Sequence, residues 1–416
     1  MARFRKILRN RNFSLLWIGQ IISQVGDRLS QMALIGLVYQ RAPGSSMQIA
    51  KILSFTIIPV FLIGPVAGVY VDRWDRRRTM YICDLLRAGL ILCIPLFLFY
   101  RQSFLPIYII IFLTFCIGRF FVPAKLSIIP ELVEPKDLLL ANSLVNTTGM
   151  IAAIVGFGIS GLLVQWLGAQ KGFYFDALSF LISGIFIFLI SIRAVRTGGH
   201  RRERGRELVE LIRKSLWDEI KEGFVYFAKN KNLRFTSIIT FILWSALGAV
   251  YVVSIVFIQQ TLKTVTGELG LLIMFLGTGL LGGALIYGRF GQRISPYKII
   301  FVTLILSGIM LIVFASVLNT HPYFTTAALL SFVLGLTISP IMIASNTIIH
   351  HVSENNMLGK VFSAFEIIMH LGFLLCMFVS SRLAEVYSPQ IILTSVGWII
   401  IGVGGVNLFL HHKITW

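Results

Sequence analysis

The stretch Ile57-Ile58-Pro59-Val60-Phe61-Leu62-Ile63-Gly64-Pro65-Val66-Ala67-Gly68-Val69-Tyr70-Val71-Asp72-Arg73-Trp74-Asp75-Arg76-Arg77-Arg78-Thr79-Met80 decides how this chain folds. From Ile57 to Val71 it carries no charge; from Asp72 to Arg78 every residue but Trp74 is charged. A long apolar segment in lipid has no water to satisfy its backbone, so it must be helical. Arginines at its end hold the following loop on the cytoplasmic face. Gly68 permits a neighbouring helix to approach closely, and Asp72 can cap or pair across a helix boundary. The segment therefore predicts a tight cytoplasmic turn between two membrane helices.

The same alternation extends in both directions. Hydrophobic residues make up 56% of the 416 and charged residues 13%, with a mean hydropathy of +0.83. A soluble core needs far less apolar surface; a polytopic membrane protein needs this much. Bilayer-length apolar runs lie at about 13–40, 47–71, 79–100, 104–124, 138–167 and 172–192. After a polar stretch come 235–260, 268–288, 297–318, 323–349, 361–381 and 390–410. These twelve spans predict an all-α membrane protein. The first is too long for a signal peptide and lacks a cleavage site.

Net charge is +19, but its distribution points to topology and not to nucleic acid. With an inside N-terminus, about 28 of the 37 Lys and Arg fall on one side of the alternating loops and about six on the other. The reading is a multi-pass protein of a bacterial inner membrane, with both termini cytoplasmic and some attraction to anionic membrane lipid. Cys83, Cys93, Cys116 and Cys376 all lie within spans without paired spacing, so neither disulfides nor a metal site is expected. No cofactor is expected, and a monomer suffices.

Residues 194–232 form the one long polar segment. Within it Leu208, Leu211, Ile212, Leu216, Ile220, Phe224 and Phe227 recur at helical spacing opposite a charged face, which predicts an amphipathic surface helix. It divides the chain into a bundle at 1–193 and another at 233–416. The two halves echo each other. Arg289-Phe290-Gly291-Gln292-Arg293 follows the eighth span as Arg73 to Arg78 follow the second, with Gly288 in place of Asp72. Pro135 to Ser143 and Glu354 to Ser363 open the fifth and eleventh spans alike. Two related six-span halves predict a substrate site between them near the midplane.

Charge at membrane depth is costly, and each instance asks for a reason. On the first span Gln20, Ser23, Gln24, Asp27, Ser30 and Gln31 form one polar stripe suited to a wet cavity. Asp27 is the first candidate for a proton-coupling carboxylate; the alternative is a structural pair with a neighbouring arginine. In the second half Ser363, Glu366 and His370 repeat the pattern, with His370 placed to tune Glu366 or share its proton. Packing accounts for that pair equally well. Asn142 and Asn146, and the face formed by Thr240, Trp244, Gly248 and Tyr251, are candidate cavity walls for large amphipathic ligands, with helix packing an equal alternative. Asp84 and Arg87, spaced i, i+3, read as a gating or structural pair that Arg119 can join.

Gly68 to Arg77 resembles the signature loop of the major facilitator superfamily, G-x-x-x-D-R-x-G-R-R, with Asp75 in place of the second glycine. Asn12-Phe13 through Gly26-Asp27, Asp84-Leu85-Leu86-Arg87-Ala88, Lys221-Glu222-Gly223 and Leu358 to Ser363 are similar to the drug-exporter branch that includes macrolide efflux proteins and the enterobactin exporter. Gly156-Phe157-Gly158-Ile159-Ser160-Gly161 resembles the antiporter signature G-P-x-x-G-G, with Phe157 and Ser160 as departures.

The resemblance implies a rocking, alternating-access exporter of drugs, macrolides or siderophores, driven by protons. It also implies that Gly68, Asp72, Arg73, Arg76 and Arg77 control conformation, with Asp72 meeting the start of the eleventh span near Met357 to Val361. Val122 to Leu132 looks like the P-A-K segment of lysophospholipid transporters, which keeps a lipid substrate as the alternative. A membrane enzyme is disfavoured because no H-E-x-x-H, G-x-S-x-G or P-loop appears. The topology is checked by labelling single cysteines placed at Arg101 and Arg201: impermeant reagent reaches them from opposite sides, and labelling from the same side overturns the orientation.

Overall fold

A computed structural model describes residues 2–71, 74–100, 103–191, 221, 225, 231–291, 294–352 and 358–411. The helices are α1 (Ala2–Arg9), α2 (Arg11–Arg41), α3 (Ser46–Val71), α4 (Arg76–Tyr100), α5 (Leu105–Leu132), α6 (Leu138–Leu167) and α7 (Ala169–Phe188). They continue as α8 (Lys231–Leu262), α9 (Gly267–Phe290), α10 (Pro296–Thr320), α11 (Phe324–Val352), α12 (Leu358–Leu383) and α13 (Pro389–His411). A short 3-10 turn, Pro135–Asp137, joins α5 to α6. There is no strand among the described residues, as expected where each segment must satisfy its own backbone.

Helices α2 to α13 are each 20 residues or longer, about 30 Å at 1.5 Å per residue. Eleven of them have the hydropathy of a membrane span. The exception is α2, 31 residues long, whose apolar character is diluted by Asp27, Arg28 and the stripe of Gln and Ser. The fourth span, expected to stop at 124, continues to Leu132. Lys125, Pro123 and Pro130 lie within the helix and do not end it. Most of the polar segment 194–232, and with it the expected surface helix, lies outside the described residues. So do Asp72, Arg73 and Met357.

The chain clusters into two compact units. The first comprises Met1–Leu34, Ile52–Gly156 and Leu167–Ile220. One end of it is closed by a core of Ile7, Phe13, Leu16, Val71, Met80 and Phe121. Asn10 secures the corner between α1 and α2: its side-chain oxygen accepts the Asn12 and Phe13 N–H groups, and its amide donates to the Leu132 carbonyl at 2.6 Å. Lys6 reaches Glu134 at 2.8 Å and Asp137 at 3.8 Å, so α1 is tied to the α5–α6 turn. Hydrogen bonds from Lys136 and then Lys6 hold the Glu134 carboxyl down to about 2.

The second unit comprises Ile35–Lys51, Phe157–Trp166 and Lys221–Trp416. Its helices cross at glycines, where lipid-soluble segments can bring backbones together. A Cβ on Gly279 of α9 would overlap the Phe332 carbonyl of α11, and one on Gly335 would overlap Leu276. Gly308 and Gly397 meet between α10 and α13, and Gly248 of α8 lies against Phe373 of α12. Gly161 and Gly270 approach within this unit, and Thr266 donates its hydroxyl to the Gly161 carbonyl at 2.9 Å. Gln165 accepts the Gly267 N–H at 2.6 Å. Gly68, by contrast, is uncrowded: no described atom lies within 4 Å of an added Cβ, so close packing does not explain that glycine. Gly279→Val must separate α9 from α11 and is expected to cost about 3 kcal/mol or more, at the upper end of overpacking. Gly402→Val, where nothing lies within 4 Å, is the control. Equal thermal stability of the two detergent-solubilised variants contradicts the packing argument.

Candidate functional site

Charge inside the first unit converges on Arg87. It lies on α4, and its Nη2 donates to Asp27 Oδ1 of α2 at 2.6 Å. Its Nη1 is 3.9 Å from Asp84 Oδ1 one turn back on α4, and Asp84 is fully buried. The guanidinium carbon sits 3.8 Å from the ring centroid of Phe180 on α7, a desolvated cation–π contact. Gly118 of α5 faces the same group; an added Cβ there would be 3.7 Å from Arg87 Nε. Four helices thus enclose one guanidinium.

A third carboxylate completes the cluster. Asp176 of α7 is buried at 1% exposure and accepts the Ser30 hydroxyl of α2 on Oδ2. Ser179 donates to the Asp176 carbonyl at 2.7 Å and approaches Oδ1 at 3.3 Å. Asp176 interacts electrostatically with Asp27 and Arg87, and Lys125 of α5 interacts with Asp27. Gly26 makes this arrangement fit: a Cβ on it would overlap Ser179 Oγ and lie 2.6 Å from Asp176 Oδ1. Asp84 makes no well-formed hydrogen bond among the described residues; the Arg87 guanidinium at 3.9 Å and the Ser183 hydroxyl are the groups that offset its charge.

The polar stripe of α2 does not face one medium. Gln20, Ser23 and Ser30 are buried; Gln24 lies beside Gly149 of α6; Gln31 accepts a hydrogen bond from Arg28 at 2.8 Å. Asp27, at 29% side-chain exposure, is the most open of the three carboxylates and therefore the one nearest a water path. Asn142 is half-buried and Asn146 exposed on α6. Arg119 lies on α5, half-buried. Of the loop residues, Arg76 pairs with Glu131 and Arg77 donates to the Ile187 and Phe188 carbonyls.

In the second unit α8 and α12 build an aromatic face. Trp244 lies 5.7 Å from His370 and 6.2 Å from Phe373, and Tyr251 lies 5.7 Å from Phe373. His370 Nδ1 is 2.7 Å from the Glu366 carbonyl oxygen. A carbonyl only accepts, so Nδ1 carries the proton. The imidazole is thus anchored to the main chain of Glu366, a residue that is itself exposed. Sequence reasoning missed Asp176, Phe180 and Lys125. The signal for Asp176 and Lys125 was present, since a charge within an apolar run asks for a partner. Nothing in the pattern singled out Phe180.

The profile of the transmembrane secretion effector family matches residues 6–401. A putative bacilysin exporter, BacE of Bacillus amyloliquefaciens, is 25% identical over 97% of this chain and 94% of its own. Macrolide efflux protein A of Streptococcus pyogenes is 23% identical over 90% of this chain and 89% of its own. The crystal structure of the nucleoside transporter NupG superposes with a TM-score of 0.73 at 15% identity, covering 96% of this chain and 98% of that one. The last shows the fold alone. These relatives and neighbours are transporters and not enzymes, and the chain belongs to the transmembrane secretion effector family of the major facilitator superfamily.

Proposed function

We propose that this protein is a proton-coupled exporter of amphipathic small molecules, working by alternating access between two six-helix halves. In this reading it resides in the bacterial inner membrane as a monomer, with both termini in the cytoplasm. One observation carries the coupling: three carboxylates, Asp27, Asp84 and Asp176, gather on two cations, Arg87, which reaches Asp27 and Asp84, and Lys125, which interacts with Asp27. Buried charge of one sign in excess is costly, and protons are the mobile counterions available to it. Protonating Asp27 replaces an ion pair across α2 and α4 by a weaker contact. That changes how firmly the two helices are held, which is the differential interaction a two-state cycle needs.

The substrate class rests on different support. Relatives are named for bacilysin export and macrolide efflux. Trp244, Tyr251 and Phe373 offer apolar surface that suits the hydrophobic part of such a molecule, with Glu366 one helical turn from His370. Asp72 and its arginine neighbours remain the proposed conformational control. No observation favours the lysophospholipid alternative.

The test is transport into inverted vesicles with a pH gradient, with proton movement followed in parallel. Asp27→Asn and Asp176→Asn are expected to lower gradient-driven erythromycin uptake about tenfold or more, equivalent to about 1.4 kcal/mol of coupling. Gradient-free exchange of labelled erythromycin should survive in both. Arg87→Lys, which keeps the charge but loses the fork, should retain part of the coupling. Full gradient-driven uptake in both neutral variants places coupling elsewhere.

A further inference from the structure

The run Arg76-Arg77-Arg78 opens α4 with no acidic residue in its first turn, and the three arginines are not equivalent. Arg76 is neutralised by Glu131. Arg77 donates to the carbonyls of Ile187 and Phe188 and lies 5.4 Å from the Phe188 ring. Arg78 is exposed, and its side chain has no partner among the described residues. Beside it opens a groove of about 600 Å³ between α4 and α5. Its apolar walls include Ile82 and Leu86 of α4, 45% and 52% exposed, and Ile117 and Phe120 of α5. Trp74 stands at the rim, stacked on Phe120 at 5.7 Å.

Two chemistries meet here at the spacing of a lipid. Arg78 lies two helical turns from Leu86, about 12 Å along the axis. The polar end therefore falls at headgroup level when the apolar end reaches the acyl region. A tryptophan at the rim suits that boundary, where an amphipathic ring is stable. Asp75 also borders the groove, but its Oδ1 accepts the Arg78 backbone N–H at 2.7 Å and caps α4. Its charge is thus offset by the helix it starts, while Arg78 is left to face outward.

We propose that this groove is a seat for one anionic phospholipid, its phosphodiester on Arg78 and an acyl chain along Ile82, Leu86 and Ile117. A diacyl anion supplies both the acceptor oxygens that a guanidinium binds and the hydrocarbon that these exposed side chains need. A bound lipid would brace the α4–α5 pair from outside, on the helices that also carry Arg87 and Gly118.

The experiment uses the full chain in phosphatidylcholine nanodiscs containing a small fraction of dibrominated lipid. Quenching of Trp74 is read as wild type minus Trp74→Phe. Dibrominated phosphatidylglycerol is expected to quench Trp74 several-fold more than dibrominated phosphatidylcholine at the same fraction. Arg78→Gln should remove that preference and Arg78→Lys should keep most of it, whereas Arg76→Gln should leave it unchanged. Ile82→Phe, which narrows the groove with Arg78 intact, should weaken it. Equal quenching by the two lipids means ordinary boundary lipid and overturns the proposal. Equal quenching by dibrominated phosphatidylethanolamine and phosphatidylglycerol overturns the requirement for an anion, and an undiminished preference in Arg78→Gln overturns the site. All variants are compared at matched thermal stability, so loss of fold is not mistaken for loss of lipid.

Discussion

A guanidinium cannot be left alone inside a membrane protein, and Arg87 is the point at which the first unit meets that constraint. Its charge is answered by Asp27 from α2 and Asp84 from α4, its flat face by Phe180 from α7, and its space by Gly118 from α5. Each answer comes from a different direction, so the helices cannot shift independently without exposing charge to a medium of low dielectric. The neighbouring contact between Gly26 and Ser179 depends on the same registration of α2 on α7. Ser30 and Asp176 add a hydrogen bond one turn further along. The hydropathy deficit of α2 follows: a helix can carry Asp27 and a polar stripe when partners on three other helices receive them.

The second unit is held by different means. Its helix pairs meet at Gly279 and Gly335, Gly308 and Gly397, and Gly248, where dispersion between close backbones replaces charge pairing. Its titratable groups are fewer and more open. Glu366 is exposed, and His370 spends its Nδ1 proton on a carbonyl of its own helix. In the proposed cycle this division is useful. In that cycle the response to protons belongs to the unit rich in paired charge, and the aromatic surface for substrate to the unit held by shape.

The arginine-rich turn shows how one compositional signal separates into several physical roles. Glu131 takes Arg76, the last carbonyls of α7 take Arg77, and Asp75 caps α4 through the Arg78 N–H. As a composition the run signals only topology. As a structure it stitches α4 to α5 and to α7, and leaves the Arg78 guanidinium exposed.

Spans, their number and the uneven charge of the loops were legible in the sequence, because each is set locally: by the length of an apolar run, the thickness of hydrocarbon and the cost of moving a cation across it. So were the i, i+3 pairing of Asp84 with Arg87 and the alternative that Asp27 pairs with some arginine, since an ion within a span must find a partner. Partner choice was not legible. Asp27 and Arg87 are 60 positions apart, and Asp176 and Ser30 are 146 apart. Helical periodicity fixes which face a residue occupies but not which helix that face meets. The sequence likewise offered Gly68 as a close crossing, whereas the close crossings lie at Gly26, Gly161 and Gly279. Packing decides these, because a glycine matters only where another backbone arrives, and that arrival is a property of the assembled helices.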